Sequence, residues 1–524
     1  MFGSNRGDGK RSSEVLTIKG EQSGQREAPL YAAVRAHLRK KFSALHVPLH
    51  GGGSGAPDLL RRGFSAALRW DLTELDALDD LHLPQGAIRK AQELAADLFG
   101  AEATFFLVNG VTGGLLALFS AFCRPGDKVL LTRMAHKAAL HGIALSGARP
   151  VYLPVEREHC SGFPLNVAVK TVEKALQEHP EARLLFMTSP SYWGVTADLA
   201  AMQRVAAQYG VLLAVDEAHG THFPFYREKL PHSAAAGADV WLHSAHKSLG
   251  SLTPGAFLHL GKKALRFAPG LKFWLQVLQT SSPSYPLMLS LDLVRRQAAL
   301  KGGKLFSAAW RWARRLRREL EGKGFTLLTG GHGGEFNLDP CRVTILCPGG
   351  TGSALARRLA QKYRWQVEMS GRSYLLAITG PAQLSSSPRR LARALEGARA
   401  GLVPFSPADA RVSAPAAADY SGDFPPSLFR GGGEAFPAFS LPPGEALRRP
   451  NLGLPLQEAA GKICAEMVVL SPPGIPLLAP GEVIREEMLG HILQQRAEGR
   501  LFQGAADPSL QTIKVVRKDT YMVE

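Results

Sequence analysis

The 524 residues include 62 lysines and arginines against 45 aspartates and glutamates, a formal net charge of +17, and 45% of them are hydrophobic. That balance fits a soluble globular chain of about three or four units and excludes a mostly disordered or fibrous one. No apolar run approaches the roughly 18 residues that span a bilayer, so no membrane partner is expected. The N-terminal stretch lacks the apolar core of a secretory signal. Five cysteines (Cys123, Cys160, Cys341, Cys347 and Cys464) form no CxxC pair. They predict neither a disulfide scaffold nor a thiolate zinc site, and a cytoplasmic location.

In chain order, residues 1–25 are polar and rich in Gly, Ser and charge, and predict a flexible tail. Residues 26–85 predict a segment of helix and loop, with a helix over Tyr31–Leu45 and a glycine-dense loop, HGGGSG, at His50–Gly55. Over 86–320 the pattern changes. Gly86–Phe99 places Ile88, Ala91, Leu94, Ala95 and Leu98 on one helical face. Short apolar runs follow at Thr104–Val108, Lys128–Thr132, Pro150–Leu153, Leu184–Thr188, Val211–Val215, Val240–His243 and Ala256–Leu260. Helical patterns separate most of them, at Gly113–Phe122, Lys137–Leu145, Val167–Glu178 and Leu199–Gln208. This alternation predicts an α/β domain around a mostly parallel sheet covered on both faces. The basic stretch Arg311–Arg318 has apolar positions at helical spacing and reads as a solvated helix face with arginine stems over apolar surface. No finger, RNP or GXXG pattern accompanies it, so no nucleic-acid partner is expected. Residues 321–403 predict a smaller α/β domain with strands at Arg342–Cys347 and Tyr374–Ile378. Residues 404–450 read as a Pro/Gly-rich linker, and 451–524 as a C-terminal domain with a helix at Glu486–Ala497.

Open α/β sheets bind ligands beyond the carboxyl ends of their strands. Asp216 ends one apolar run, in AVDEAHGTHF, and Ser244, His246 and Lys247 follow another, in HSAHKSLG. Pyridoxal phosphate chemistry needs a lysine for a Schiff base and a nearby carboxylate to keep the pyridine nitrogen protonated. It also needs an anion cradle, and Asn109–Gly114, between a strand and a helix, supplies glycines and the Thr112 hydroxyl. Each feature alone has an ordinary reading: a turn, a cap, a solvated lysine, a core histidine. A metal hydrolase built on Asp216, His219, His222, His243 and His246 is the rival from another class, although the loop lacks the helical HExxH arrangement.

The segments DLTELDALDDLHLPQGAI, FLVNGVTGGLLA, TSPSYWGVTADL, VDEAHGTHF, SAHKSLGSLTPGAFLHL, LQTSSPSYPLMLSLD and SPPGIPLLAPGE, in that order, resemble the Orn/Lys/Arg decarboxylase family. These are pyridoxal 5'-phosphate enzymes with the aspartate-aminotransferase type of fold. The resemblance runs over about residues 28–400 and resumes at about 450–505. It implies a fold type I large domain with a mostly parallel seven-stranded sheet, a smaller α/β domain and a C-terminal α+β domain. It implies that Lys247 is the Schiff-base lysine and that Asp216 pairs with the pyridine nitrogen. His136 would stack on the ring, Ala218 pack on its other face, and His219 lie near its 3-oxygen. Gly110, Val111 and Thr112 would hold the phosphate, joined by Ser244 and His246. Ser281 or Ser282 would reach the partner's cofactor in a homodimer. The implied reaction is decarboxylation of a basic amino acid, arginine before lysine or ornithine, to its amine in polyamine metabolism. Glu368, Glu466 and Glu482 are the candidates for the far end of such a substrate. No metal is implied. The same lysine and aspartate also serve aminotransferases and carbon–carbon lyases, and an inactive regulator or scaffold is a further alternative. Two departures from the family pattern stand out: His46–Gly52 reads HVPLHGG near a usual HMPGHKGG, and Val111 and Gly113 replace polar residues of the phosphate turn.

Overall fold

The computed structural model describes residues 22–159, 161–226, 230–331, 335–402, 438–471, 473–497 and 499–517. Residues 1–21 of the expected tail, Cys160 and residues 404–437 of the expected linker lie outside the described residues.

Seven strands form the central sheet: β1 (Ala103–Leu107), β2 (Lys128–Thr132), β3 (Arg149–Leu153), β4 (Leu184–Thr188), β5 (Leu212–Asp216), β6 (Val240–His243) and β7 (Ala256–Leu260). Their order is β1-β7-β6-β5-β4-β2-β3. β7 runs antiparallel to both neighbours, and the other pairs are parallel. The apolar runs predicted each strand to within a residue or so, because strands buried on both faces need apolar side chains throughout. In β5 all five residues are buried.

Helices cover both faces. The helix Gly110–Phe122 packs so closely that a Cβ on Gly114 would lie 2.5 Å from Leu107 Cδ1 and 2.7 Å from Leu242 Cδ2. Two helices differ from expectation. The helix predicted over Tyr31–Leu45 spans Pro29–Arg39, and Lys41 just beyond it has φ +52, outside the helical region. The basic stretch belongs to a 37-residue helix, Tyr285–Glu321. Arg311, Arg314, Arg315 and Arg318 are exposed, while Trp312 and Leu316 are buried. Arg317 is no part of the solvated face: its guanidinium donates to the carbonyls of Leu328 and Arg342 and ties the helix to the next domain.

That domain is an antiparallel sheet, β10-β11-β9-β8, built from β8 (Thr326–Leu327), β9 (Arg342–Leu346), β10 (Met369–Ser370) and β11 (Tyr374–Ile378). The helices Gly352–Tyr363 and Pro388–Arg399 pack with it. The C-terminal region adds two antiparallel pairs, β12 (Asn451–Pro455) with β15 (Thr512–Val516), and β13 (Val468–Leu470) with β14 (Ile475–Leu478).

Both polar segments end in ordered structure. Gln25, placed in the tail, is buried, and its carbonyl and side-chain oxygens accept from Arg295. The end of the linker holds the helix Pro443–Arg448, where Gly444 lies against the Ala144 carbonyl. Among the described residues, no helix is long and apolar enough to cross a membrane.

Candidate active site

The carboxyl ends of β4, β5 and β6 place the central groups. Thr188 pairs with Asp216, and Asp216 with Leu242, so Asp216 sits at the rim of the sheet. Its Oδ1 accepts the Ala218 N–H at 3.1 Å. The neighbouring Glu217 makes different contacts: its carboxylate accepts from His243 Nε2 at 2.9 Å and from the Ser233 N–H at 3.0 Å. Alternation along the strand thus separates two adjacent carboxylates.

Lys247 follows β6 in a single helical turn, Ala245–Ser248. Its Nζ lies 3.1 Å from His219 Nε2. Burial pushes the Asp216 carboxyl upward, against the pull of Lys247, and pushes the Lys247 amine downward, against the pull of Asp216. Each therefore feels the other's charge, yet no direct ion pair joins them.

His136 caps the helix Lys137–Ser146, with Nδ1 accepting from the Ala138 N–H at 3.2 Å. Burial, and then the charge of Lys247, brings its imidazole down to about 4. Gly474, just ahead of β14, lies against it: a Cβ there would be 2.8 Å from His136 Nε2, and Lys137 N–H donates to the Gly474 carbonyl at 3.0 Å. The centroid of the Tyr192 ring stands 4.6 Å from that of the His219 ring, and the Tyr192 hydroxyl donates to Glu368.

The anion cradle is the start of the helix Gly110–Phe122. Gly110 has φ +70, and a Cβ there would stand 3.3 Å from Pro254, so the turn needs glycine. The first N–H groups of the helix, from Gly110, Val111 and Thr112, have no carbonyl a turn earlier to bond within the helix. Ser244 Oγ lies 3.1 Å from His246 Nδ1, which also approaches the Gly255 carbonyl at 3.3 Å.

These residues fit pyridoxal phosphate. Asp216 is buried while Lys247 opens onto the cavity beside it, so a carboxylate that is costly to bury and a reachable amine stand ready for a group that engages both. Thr188 Oγ1 and Ser248 Oγ, beside Asp216 and Lys247, are buried without a hydrogen-bond partner. A helix N-terminus free of a side-chain cap suits a phosphate.

Not every predicted residue joins this group. Glu368 does, through Tyr192. Glu466 and Glu482 are corrected to structural roles. Glu466 accepts the N–H groups of Ala506 and Lys514, and Glu482 accepts the Tyr152 hydroxyl at 2.7 Å and lies 3.6 Å from Arg133. Ser281 and Ser282 are exposed in a loop ahead of the long helix, and only the Ser282 N–H is fixed, on Thr280 Oγ1. His222 is spent on Asp339 and His243 on Glu217. Among the described residues no three His, Cys, Asp or Glu side chains gather as a metal site. The sequence reading missed Tyr192, Gly474 and Arg342. The first two lie inside segments that carry the family resemblance, while Arg342 showed only as the start of an apolar strand.

Comparison with known proteins bears on the family and the fold. The family model described as "Orn/Lys/Arg decarboxylase, major domain" matches residues 28–329, and that of the C-terminal domain matches residues 443–521. An arginine decarboxylase of Bacillus subtilis is 33% identical over 94% of this chain and 99% of its own length. Lysine decarboxylase LdcA of Pseudomonas aeruginosa is 24% identical over 91% of this chain and 77% of its own. Among solved structures, lysine decarboxylase LdcF of Francisella novicida superposes with TM-score 0.76 at 18% identity, covering 94% of this chain and 82% of that one.

Proposed function

The chain belongs to the Orn/Lys/Arg decarboxylase family, and on that premise we propose that it uses pyridoxal 5'-phosphate to decarboxylate arginine, before lysine or ornithine, giving the corresponding amine. The observation that carries this is the convergence of Lys247, Asp216, His219 and His136 at the carboxyl end of the sheet. Arginine is favoured because relatives matched over nearly their whole length are named arginine decarboxylases.

When bound, the cofactor supplies a sink for the electron pair left as the Cα–carboxylate bond breaks. Lys247 would hold it through Nζ, and Asp216 would keep a proton at the pyridine nitrogen. The His136 ring, neutral at physiological pH and edged by Gly474, would lie against the group. The N–H groups at Gly110–Thr112, with Ser244 and His246, hold the phosphate. Glu368, oriented by Tyr192, receives the cationic end of the substrate, where a carboxylate makes a charge-assisted pair with a guanidinium or ammonium. Lys247 or His219 returns the proton to Cα. Ser281 or Ser282 completes the neighbouring site in a homodimer, and the protein works in the cytoplasm.

The test is to supply arginine, lysine and ornithine separately to the cofactor-loaded protein and measure carbon dioxide and amine. Release of agmatine from arginine is expected. Keto acid formation with none of the amines would replace decarboxylation by amino transfer.

A further inference from the structure

Arg342 opens β9 in the smaller domain, yet its guanidinium ends inside the site of the large one. The side chain is 1% exposed. Its stem is pinned by Gly194, where a Cβ would meet Arg342 Cβ and Cγ at 2.6 Å. Nε faces Asp339 Oδ2 at 3.9 Å, and Asp339 is itself held by His222 Nε2 at 3.1 Å and the Cys341 N–H at 3.0 Å. At the other end, Nη2 donates to His219 Nδ1 at 2.9 Å.

A guanidinium has donors only and keeps its charge at any pH where a protein is folded. His219 Nδ1 can therefore act only as an acceptor. A neutral His219 then carries its proton on Nε2. That Nε2–H points at Lys247 Nζ, 3.1 Å away. An ammonium at Nζ would set donor against donor, whereas the free amine offers a lone pair. The three side chains thus form one chain of donation, guanidinium to imidazole to amine.

We propose that Arg342 is a positioning residue that selects the Nε2–H tautomer of His219 and, through it, holds Lys247 as the free amine. The free amine is the form that attacks an aldehyde, so the proposal deepens the reading of Lys247 as the lysine that takes the cofactor. Burial is the largest influence against a second proton on His219, and Lys247, Arg342, His136 and His222 add to it. On Lys247, loss of water contact is the largest influence against the proton; Asp216 and Glu368 favour the proton and Arg342 disfavours it. Arg342 therefore opposes the two carboxylates both by charge and by the tautomer it imposes. Tyr192 packs on the His219 ring without offering it a hydrogen bond.

The test reads the protein before it takes any substrate. Nitrogen NMR of histidine-labelled, cofactor-free protein, assigned with His219→Gln, should show His219 protonated on Nε2 alone at neutral pH. Arg342→Met should give a mixture of tautomers. Its rate of cofactor association at neutral pH should fall roughly tenfold or more, the effect of raising the amine's pKa by about one unit, and recover as the pH is raised. Arg342→Lys, which keeps a cationic donor, should restore the tautomer and much of the rate. A merely structural role predicts a loss that raising the pH does not repair. A wild-type His219 protonated on Nδ1 would overturn the proposal, and this result does not depend on any variant folding. So would an Arg342→Met protein with the wild-type rate and pH dependence. Failure to release carbon dioxide from any basic amino acid would count against the proposed reaction and leave the tautomer result standing.

Discussion

Replacing Gly474 with alanine tests whether the C-terminal domain shapes the cofactor site. Gly474 has φ +83, where an L-residue costs roughly 1–2 kcal/mol. A new Cβ would also stand 2.8 Å from His136 Nε2 and 2.9 Å from its Cδ2, too close for either atom to stay in place. The ring has to move, and its Nδ1 then loses the Ala138 N–H that it caps at 3.2 Å. Loss of such a cap adds about 1 kcal/mol. The total is about 2–3 kcal/mol in urea or thermal unfolding, with weakened cofactor affinity. Gly461→Ala is the control: Gly461 has φ +71 and nothing within 4 Å of the added Cβ. It carries the backbone cost alone and leaves cofactor affinity unchanged. Equal effects of the two substitutions on stability and affinity would refute the contact between Gly474 and His136 as the cause.

Glu482→Gln should cost about 3–5 kcal/mol in unfolding, because it leaves the fully buried Arg133 without its carboxylate; raised KM with unchanged stability would return Glu482 to the substrate pocket. Glu368→Gln should raise KM for a basic amino acid roughly tenfold, about 1.4 kcal/mol of lost binding, with a smaller change in kcat. An unchanged KM in steady-state assays would remove Glu368 from the site. In cofactor-free protein, His136 stays neutral down to about 4, whereas an unfolded imidazole takes its proton near 6.5. The folded state binds fewer protons between those values. The contribution, about 3 kcal/mol, is therefore complete above pH 6.5 and is lost as the pH falls toward 4. His136→Gln should flatten that limb of the stability–pH curve, and identical curves would contradict it.

Much of this was legible in the sequence for a physical reason. Strands buried on both faces become continuous apolar runs, so β2, β4, β6 and β7 stood at their observed bounds. Strand ends then marked Asp216 and the Ser244–Lys247 turn. Three things were less legible. The end of the first predicted helix depended on the turn at Lys41, where apolar periodicity ran on past the break. The three glutamates look alike in sequence, and only tertiary contacts separate Glu368, beside Tyr192, from Glu466 and Glu482, held within the fold. Arg342 meets His219 across 123 residues of chain, a pairing that no local pattern encodes.

The proposed chemistry turns on Lys247 as the residue that takes the cofactor. Borohydride reduction of the cofactor-loaded protein, followed by peptide mass spectrometry, tests it most directly. One reduced pyridoxyl adduct is expected, on the peptide containing Lys247, and none in Lys247→Ala protein. An adduct on another lysine, or the same labelling in Lys247→Ala, would contradict it.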